Sequence, residues 1–172
     1  MPTIALYIAS SIDGYIARAD GSIDWLDSVD GFDEDYGYQA FYDSVDALLM
    51  GSNTYTQVLG FGDWPYPGKP TYVFFSHDLP NILADVHIVP HDIQEMLPLI
   101  EHHQKAWLVG GGALVKSFHQ AGLIDEYIIS IVPIVLGDGI ALFQAPLTEQ
   151  PLTLVSAQHY PSGLVQIHYQ KQ

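Results

Sequence analysis

The chain has 172 residues, 20 carboxylates against five lysines and arginines, a formal net charge of −15 and no cysteine. That length suits one domain, expected over residues 1–172, and the missing cysteine excludes disulfides and thiolate metal sites. So negative a surface repels polyanions and excludes DNA or RNA as a main partner, while no apolar run is long enough to cross a bilayer.

Residues 4–9 form a continuous apolar run, expected as a strand buried on both faces, and Ser10-Ser11-Ile12-Asp13-Gly14 follows as a polar loop. A stretch rich in Asp and Gly continues to about Asp30. Over residues 32–47, Tyr36, Ala40, Phe41 and Val45 recur at helical spacing, with Asp33, Glu34 and Asp35 placed for a first turn. Residues 47–50 read as a short strand ending at Gly51, residues 54–59 as a brief helix, and residues 60–70 as a loop stiffened by Pro65 and Pro67. Strands are expected at 71–75 and 86–89. Asp92 with Glu95 resembles a capping box opening a helix over 93–102. A strand over 106–109, a helix over 113–121 and a strand over 126–133 continue the alternation.

The tail changes character. Residues 152–160 and 164–169 flank Pro161-Ser162-Gly163, the pattern of an antiparallel hairpin. The whole predicts an α/β fold: a mostly parallel central sheet with helices on its faces and a C-terminal antiparallel hairpin closing one edge. Strands then end alike at Ser10, Gly51, Ser76 and Gly110, and ligands of such sheets gather outside the carboxyl ends.

At one of those ends stands Leu108-Val109-Gly110-Gly111-Gly112-Ala113-Leu114. Glycine allows a sharp turn and close approach to the main chain, and a helix N-terminus offers unpaired N–H groups with partial positive charge. The run is therefore a phosphate seat or simply a tight strand-to-helix turn. Val115 breaks the G-x-G-x-x-G fingerprint and also replaces the second glycine of a P-loop. The eight histidines lack helical metal spacing, the acidic stretch over 20–35 lacks the calcium-loop pattern, and no G-x-S-x-G elbow occurs. No metal site is expected.

Four segments in order resemble the dihydrofolate-reductase-like superfamily, above all the reductase domain of bacterial riboflavin biosynthesis. They are Ser11-Ile12-Asp13-Gly14-Tyr15-Ile16-Ala17, Leu49-Met50-Gly51-Ser52-Asn53-Thr54-Tyr55, Val73-Phe74-Phe75-Ser76, and the glycine run followed by Leu123-Ile124-Asp125-Glu126. Residues 131–139 look like the family's strand and turn after the glycine helix. The resemblance implies a three-layer fold holding NADPH in a groove and transferring hydride to a small heterocyclic or ribosylamino-pyrimidine substrate. It also implies that Gly110, Gly111, Gly112, Ala113 and Leu114 hold the pyrophosphate and ribose. Gly51, Ser52, Asn53 and Thr54 would face the phosphates, Ser76 the adenosine end, and Ala9 and Ile16 the nicotinamide.

Asp13 follows the first strand, where substrate and nicotinamide would meet; it is a candidate proton-delivering or orienting catalyst, or a turn cap. Asp30 and Asp33 are candidate substrate carboxylates, and Lys69 is a candidate for a substrate phosphate or an ordinary surface lysine. Two departures from the family stand out: Ser52-Asn53 and His77 replace basic residues that would meet the 2′-phosphate. NADH is therefore expected beside NADPH, with little preference. The alternative is a non-catalytic nucleotide- or metabolite-binding protein on the same fold. Residues 128–135 offer either a homodimer seam or core. Nothing marks a signal peptide, so a cytoplasmic protein without membrane attachment is expected.

Overall fold

The apolar runs pair into one eight-stranded sheet in a computed structural model that describes residues 1–75, 79, 82–89 and 92–172. Six strands are parallel: β1 (Thr3–Ser11), β3 (Ala47–Gly51), β4 (Thr71–Phe74), β5 (Val86–Val89), β6 (Lys105–Gly110) and β7 (Glu126–Val132). A hairpin of β9 (Leu152–His159) and β10 (Val165–Lys171) adds antiparallel to β7, giving the order β5-β4-β3-β6-β1-β7-β10-β9. The predicted parallel sheet with a closing hairpin is what forms.

Four helices make the outer layers: α1 (Tyr38–Ser44), α2 (Ser52–Leu59), α3 (Ile93–Ile100) and α4 (Gly112–Gln120). Alternation along the strands sorts the core. Ile4, Leu6 and Leu108 pack with Met96 and Ile100 of α3 and with Leu114, Val115 and Phe118 of α4. Ala5, Leu48, Met50 and Trp107 pack on the other face with Phe41 of α1 and Tyr55 of α2. Residues of opposite parity serve opposite faces, which is why β1 and β3 read as unbroken apolar runs. Asp125 fastens the start of β1, its carboxylate accepting from the Ile4 N–H at 2.8 Å.

Local chemistry corrects several expected boundaries. The helix expected over 32–47 is only Tyr38–Ser44, and Asp33, Glu34 and Asp35 precede it in a loop. Tyr36 and Gly37 have φ of 55° and 76°, which no α-helix accommodates, and the Asp35 carboxylate accepts from the Gly37 N–H at 2.9 Å and the Gln39 N–H at 3.2 Å. Aspartate competes with helix through bonds of this kind. β1 runs on to Ser11 because Ser10 and Ser11 still pair with Ile131 and Val132 of β7. Asp92 caps α3 through the Gln94 N–H at 2.8 Å, the second helical position, where a capping box would use the third. The short strands β2 (Tyr15–Ala17) and β8 (Ile140–Ala141), paired antiparallel, and a 3-10 turn over Asp24–Ser28 were not expected. No helix among the described residues is long and apolar enough to cross a membrane.

Candidate functional site

The parallel strands carry their carboxyl ends to one edge of the sheet, where Gly51 ends β3 and Gly110 ends β6. Gly110 has a φ of 126°, a conformation that side chains disfavour, and a Cβ there would lie 3.4 Å from Ile8 Cδ1. The chain then enters α4 with Gly111 as N-cap, and α2 begins after Gly51 as N-cap; neither cap supplies a side-chain hydrogen bond. The two N-termini adjoin. A Cβ on Gly51 would sit 3.8 Å from Gly110 O and Gly111 N, and one on Gly111 would sit 3.4 Å from Thr54 Oγ1. Two helix ends without side-chain caps, both bared by glycine, converge on one point with their N–H groups and partial positive charge.

Gly112 serves packing. A Cβ at this position would meet Ala141 O at 2.4 Å and Gln144 Nε2 at 2.6 Å, so the end of β8 and the residues after it lie directly on the first turn of α4. Ala113 is exposed and Leu114 is buried beneath the helix. Ser52 is buried, Asn53 is exposed, and Thr54 is half-buried beside Gly111. Ser76 and His77 lie outside the described residues.

The chain's fixed cations are all tied up. Arg18 binds Asp24 at 2.7 Å, Lys105 binds Glu126 at 2.7 Å, and Lys116 donates to Ala145 O and Lys171 to Gly122 O. Lys69 donates to Tyr42 O and Val45 O at the end of α1 and lies 4.2 Å from the Tyr42 ring centroid. It also precedes β4, at the end of the sheet opposite the glycines. That geometry takes Lys69 away from any ligand at the glycine edge. Carbonyls at a helix C-terminus attract a lysine, a competition invisible in the sequence. The donors that the glycine edge itself presents are the backbone N–H groups of the two helix N-termini.

Asp13 is exposed but fully engaged. Its carboxylate accepts from Ser11 Oγ at 2.6 Å, Gly137 N at 2.7 Å and Leu136 N at 3.1 Å, joining the turn after β1 to the loop after β7. The Ser11 hydroxyl bond first, then the two backbone donors, hold its pKa below the usual carboxylate range. A carboxylate so held stays ionised at neutral pH, a weak base that braces the two loops by accepting their hydrogen bonds. A depressed carboxylate stabilises the fold above its unfolded pKa of about 3.9, and that support is lost as pH falls through the lower folded value. Protection of the Leu136 and Gly137 amides from hydrogen exchange is therefore expected to persist at neutral pH and to collapse only below about pH 4. Asp13→Asn should lose that protection at neutral pH as well; equal protection in both proteins would refute the brace.

Ile16 of β2 and Ile8 of β1 both pack against the core on the α4 face of the sheet. Ala9 lies on the other face, half-buried with Trp25, Tyr36 and Tyr160. The two residues expected at one nicotinamide pocket thus pack against different clusters on opposite faces of the sheet. Asp30 and Asp33 are exposed, and Asp33 lines an open cleft of about 180 Å³ with Phe32, Glu34, Tyr36 and Tyr160. Asp30 is not among its lining residues.

The sequence reading missed the polar supports of this face. Gln166 Nε2 donates to Ser130 Oγ at 3.0 Å and Tyr36 O at 3.2 Å, and approaches Tyr7 Oη at 3.4 Å. Burial pushes the Tyr7 phenol up to about 12, so it stays protonated. Gln57 of α2 reaches Gly21 O at 2.8 Å and holds the loop after β2 against the helix. Ser11, two residues before Asp13, had a legible signal in its Ser-x-Asp spacing; Gln57 and Gln166 had none.

A parallel sheet with an antiparallel closing hairpin and glycine-bared helix ends at its carboxyl edge defines a dihydrofolate-reductase-like domain of the riboflavin-reductase kind. The chain belongs to the RibD C-terminal domain family, whose model matches residues 69–166. It is 38% identical to the uncharacterised protein YwjB of Bacillus subtilis, over 95% of each chain. It is 30% identical to the riboflavin biosynthesis protein RibD of Mycobacterium tuberculosis, over 80% of this chain but only 44% of that one. A Shewanella sp. PV-4 crystal structure, provisionally assigned to riboflavin biosynthesis, matches with a TM-score of 0.89 and 32% identity over 100% of this chain and 99% of that one. Acinetobacter baumannii RibD matches in fold with a TM-score of 0.74 at 17% identity, over 100% of this chain and 58% of that one.

Proposed function

We propose that this chain is a nicotinamide-dependent reductase of a small heterocyclic or ribosylamino-pyrimidine-type substrate. The observation that carries the reading is the convergence of two helix N-termini at Gly51 and Gly111, neither with a side-chain cap. A pyrophosphate fits such a seat: backbone donors and two dipoles replace the cations that this chain commits elsewhere. Family membership supports it. A bound nicotinamide would supply the hydride.

The chain's own residues do the rest. Gly51 and Gly111 admit the anion to the main chain, and Thr54, beside Gly111, offers a hydroxyl at the same point. Ile16 with Ile8 provides an apolar wall on one side of the carboxyl edge, and Ala9 one on the other. Asp13 acts as a positioning residue, bracing the loops that frame the edge. Asp33, which lines a cleft with Phe32, Tyr36 and Tyr160, would accept from an amino-heterocycle bound there.

With Ser52-Asn53 where relatives carry a base and every lysine and arginine already partnered, NADPH and NADH are expected to bind within about tenfold of each other, a difference of about 1.4 kcal/mol. Thermal-shift titration with NADPH, NADH and flavins tests both points, because a ligand of the native state raises apparent stability. No shift with either nicotinamide would sink the proposal, and a strong NADPH preference would sink the selectivity argument. Binding without turnover across pterins and ribosylamino-pyrimidines would assign the chain to non-catalytic nucleotide binding.

A further inference from the structure

Resting on the reductase reading, we propose that the substrate carries no phosphate: the β1–β7 half of the carboxyl edge takes a neutral or cationic amino-heterocycle and rejects its phosphate ester. The edge is divided. On the β3–β6 half the N-termini of α2 and α4 lack side-chain caps. On the β1–β7 half the chain's own carboxylates already occupy the backbone donors that a phosphate would use. Asp13 takes the N–H groups of Leu136 and Gly137, and Asp35 takes those of Gly37 and Gln39 at the start of α1. Asp20 accepts from Ser22 N at 2.9 Å and Asp138 from Gly139 N at 2.8 Å. A phosphate monoester brings about 1.5 to 2 negative charges at pH 7 and is held by such donors or by arginine and lysine.

Cations do not make up for those donors. Lys69 precedes β4, Lys105 opens β6 and Lys171 ends the antiparallel β10, so all three stand at the opposite edge of the sheet. Lys116 lies on α4 and donates to Ala145 O. Arg18, which follows β2, is the one lysine or arginine among residues 12–37, against eight carboxylates. Both oxygens of Asp24 hold its guanidinium, at 2.7 and 3.2 Å. A phosphate on this half would meet like charge with no free partner.

What this half offers instead is room for a ring. Val165 of β10 pairs with Ile131 of β7, which brings the turn between β9 and β10 to the carboxyl edge. There Tyr160 stands edge-on to Tyr36 at 4.9 Å, and both rings pack in the same cluster as Ala9, near the end of β1. Together with Phe32, Asp33 and Glu34 they line the cleft of about 180 Å³. Drug-sized ligands occupy about 300–1,000 Å³, so the cleft suits a heterocycle whose sugar, where it has one, stays outside. Aromatic faces beside two carboxylates favour amino groups and cationic ring forms.

Isothermal titration of the full chain saturated with NADP⁺, which has no hydride to give, tests the proposal with two probes, a ribosylamino-pyrimidine and its 5′-phosphate. The unphosphorylated compound is expected to bind at least about tenfold more tightly, and the gap should narrow as salt screens the repulsion. Asp33→Lys should reverse the preference, weakening the free compound and strengthening its phosphate. Asp63→Lys, the same charge change in the exposed loop between α2 and β4, should leave the ratio within about twofold of wild type. Equal or tighter binding of the phosphate, binding of neither compound by the cofactor-loaded chain, or an unchanged ratio in Asp33→Lys would each overturn the proposal while the reductase reading stands. A chain that responds to no nicotinamide at all would sink that reading, and the proposal with it.

Discussion

Gly51→Ala is expected to weaken NADPH and NADH binding by about ten- to a hundredfold while leaving the melting temperature unchanged or slightly raised. Gly51 sits at φ −76° and ψ 158°, a conformation open to any residue, and the added Cβ would have only van der Waals neighbours, at 3.8 Å. Where the backbone conformation suits alanine, replacing glycine stabilises by about 0.4–1 kcal/mol through the unfolded state. The same methyl group would stand between the N-caps of α2 and α4, where a phosphate oxygen must approach the N–H groups. Losing one charge-assisted hydrogen bond costs about 1.5–3 kcal/mol, which is the predicted fold-change. Isothermal titration beside a thermal melt separates the effects. Unchanged affinity in a folded variant would remove the glycine edge as the pyrophosphate seat.

Trp107→Ala should produce the opposite pattern, a large loss of stability with its origin in the core on the α1 face of the sheet. Trp107 is 5% exposed and stands edge-on to Tyr7, Phe41, Tyr38 and Tyr66, at ring separations of 5.4 to 6.0 Å. Its indole N–H donates to Tyr7 O at 2.9 Å, joining β6 to β1 beneath α1. Removing a buried Trp costs about 3–5 kcal/mol, from lost transfer energy and the cavity left behind. A domain of ordinary stability holds about 5–15 kcal/mol in total, so the variant approaches the edge of folding. Urea denaturation measures the difference directly; Trp107→Phe, which keeps most of the ring contacts, should lose clearly less. A cost below about 1 kcal/mol for the alanine variant would show that the aromatic cluster repacks around the gap.

The legible parts of this sequence are those where one physical requirement dominates. Residues 47–50 read as a strand because an unbroken apolar run between Asp46 and Gly51 suits a sheet covered on both faces, and the strand forms there, while residues 86–89, interrupted by the exposed His87, form the edge strand. The glycine edge was legible for the same reason, since few other residues accept the φ of Gly110. Competition defeats the reading elsewhere. The helical spacing over 32–47 is real, yet the Asp35 side chain and the left-handed Tyr36-Gly37 turn take its first third. Lys69 followed an inviting Pro-Gly, but carbonyls 24 and 27 residues earlier claim its ammonium. Asp13 could be read as acid or cap; its partners at Leu136 and Gly137 lie more than 120 residues away, beyond any local pattern.

The central place of β1 has a consequence for how the chain is made. Its nine residues, most of them apolar, pair on one side with β6, in register from Thr3 with Lys105, and on the other with β7. At translation rates of about 5–20 residues per second, the last of β7 follows β1 out of the ribosome by roughly 6 to 25 seconds. Until β6 emerges, about 5 to 20 seconds after β1, this largely apolar strand has neither neighbour, and it then waits for β7 with one edge open. The late arrival of β7 then completes the sheet and also delivers the backbone donors that Asp13 awaits. Synthesis slowed between β6 and β7 would lengthen the exposure of β1, and a chaperone that shields extended apolar segments has its natural client there.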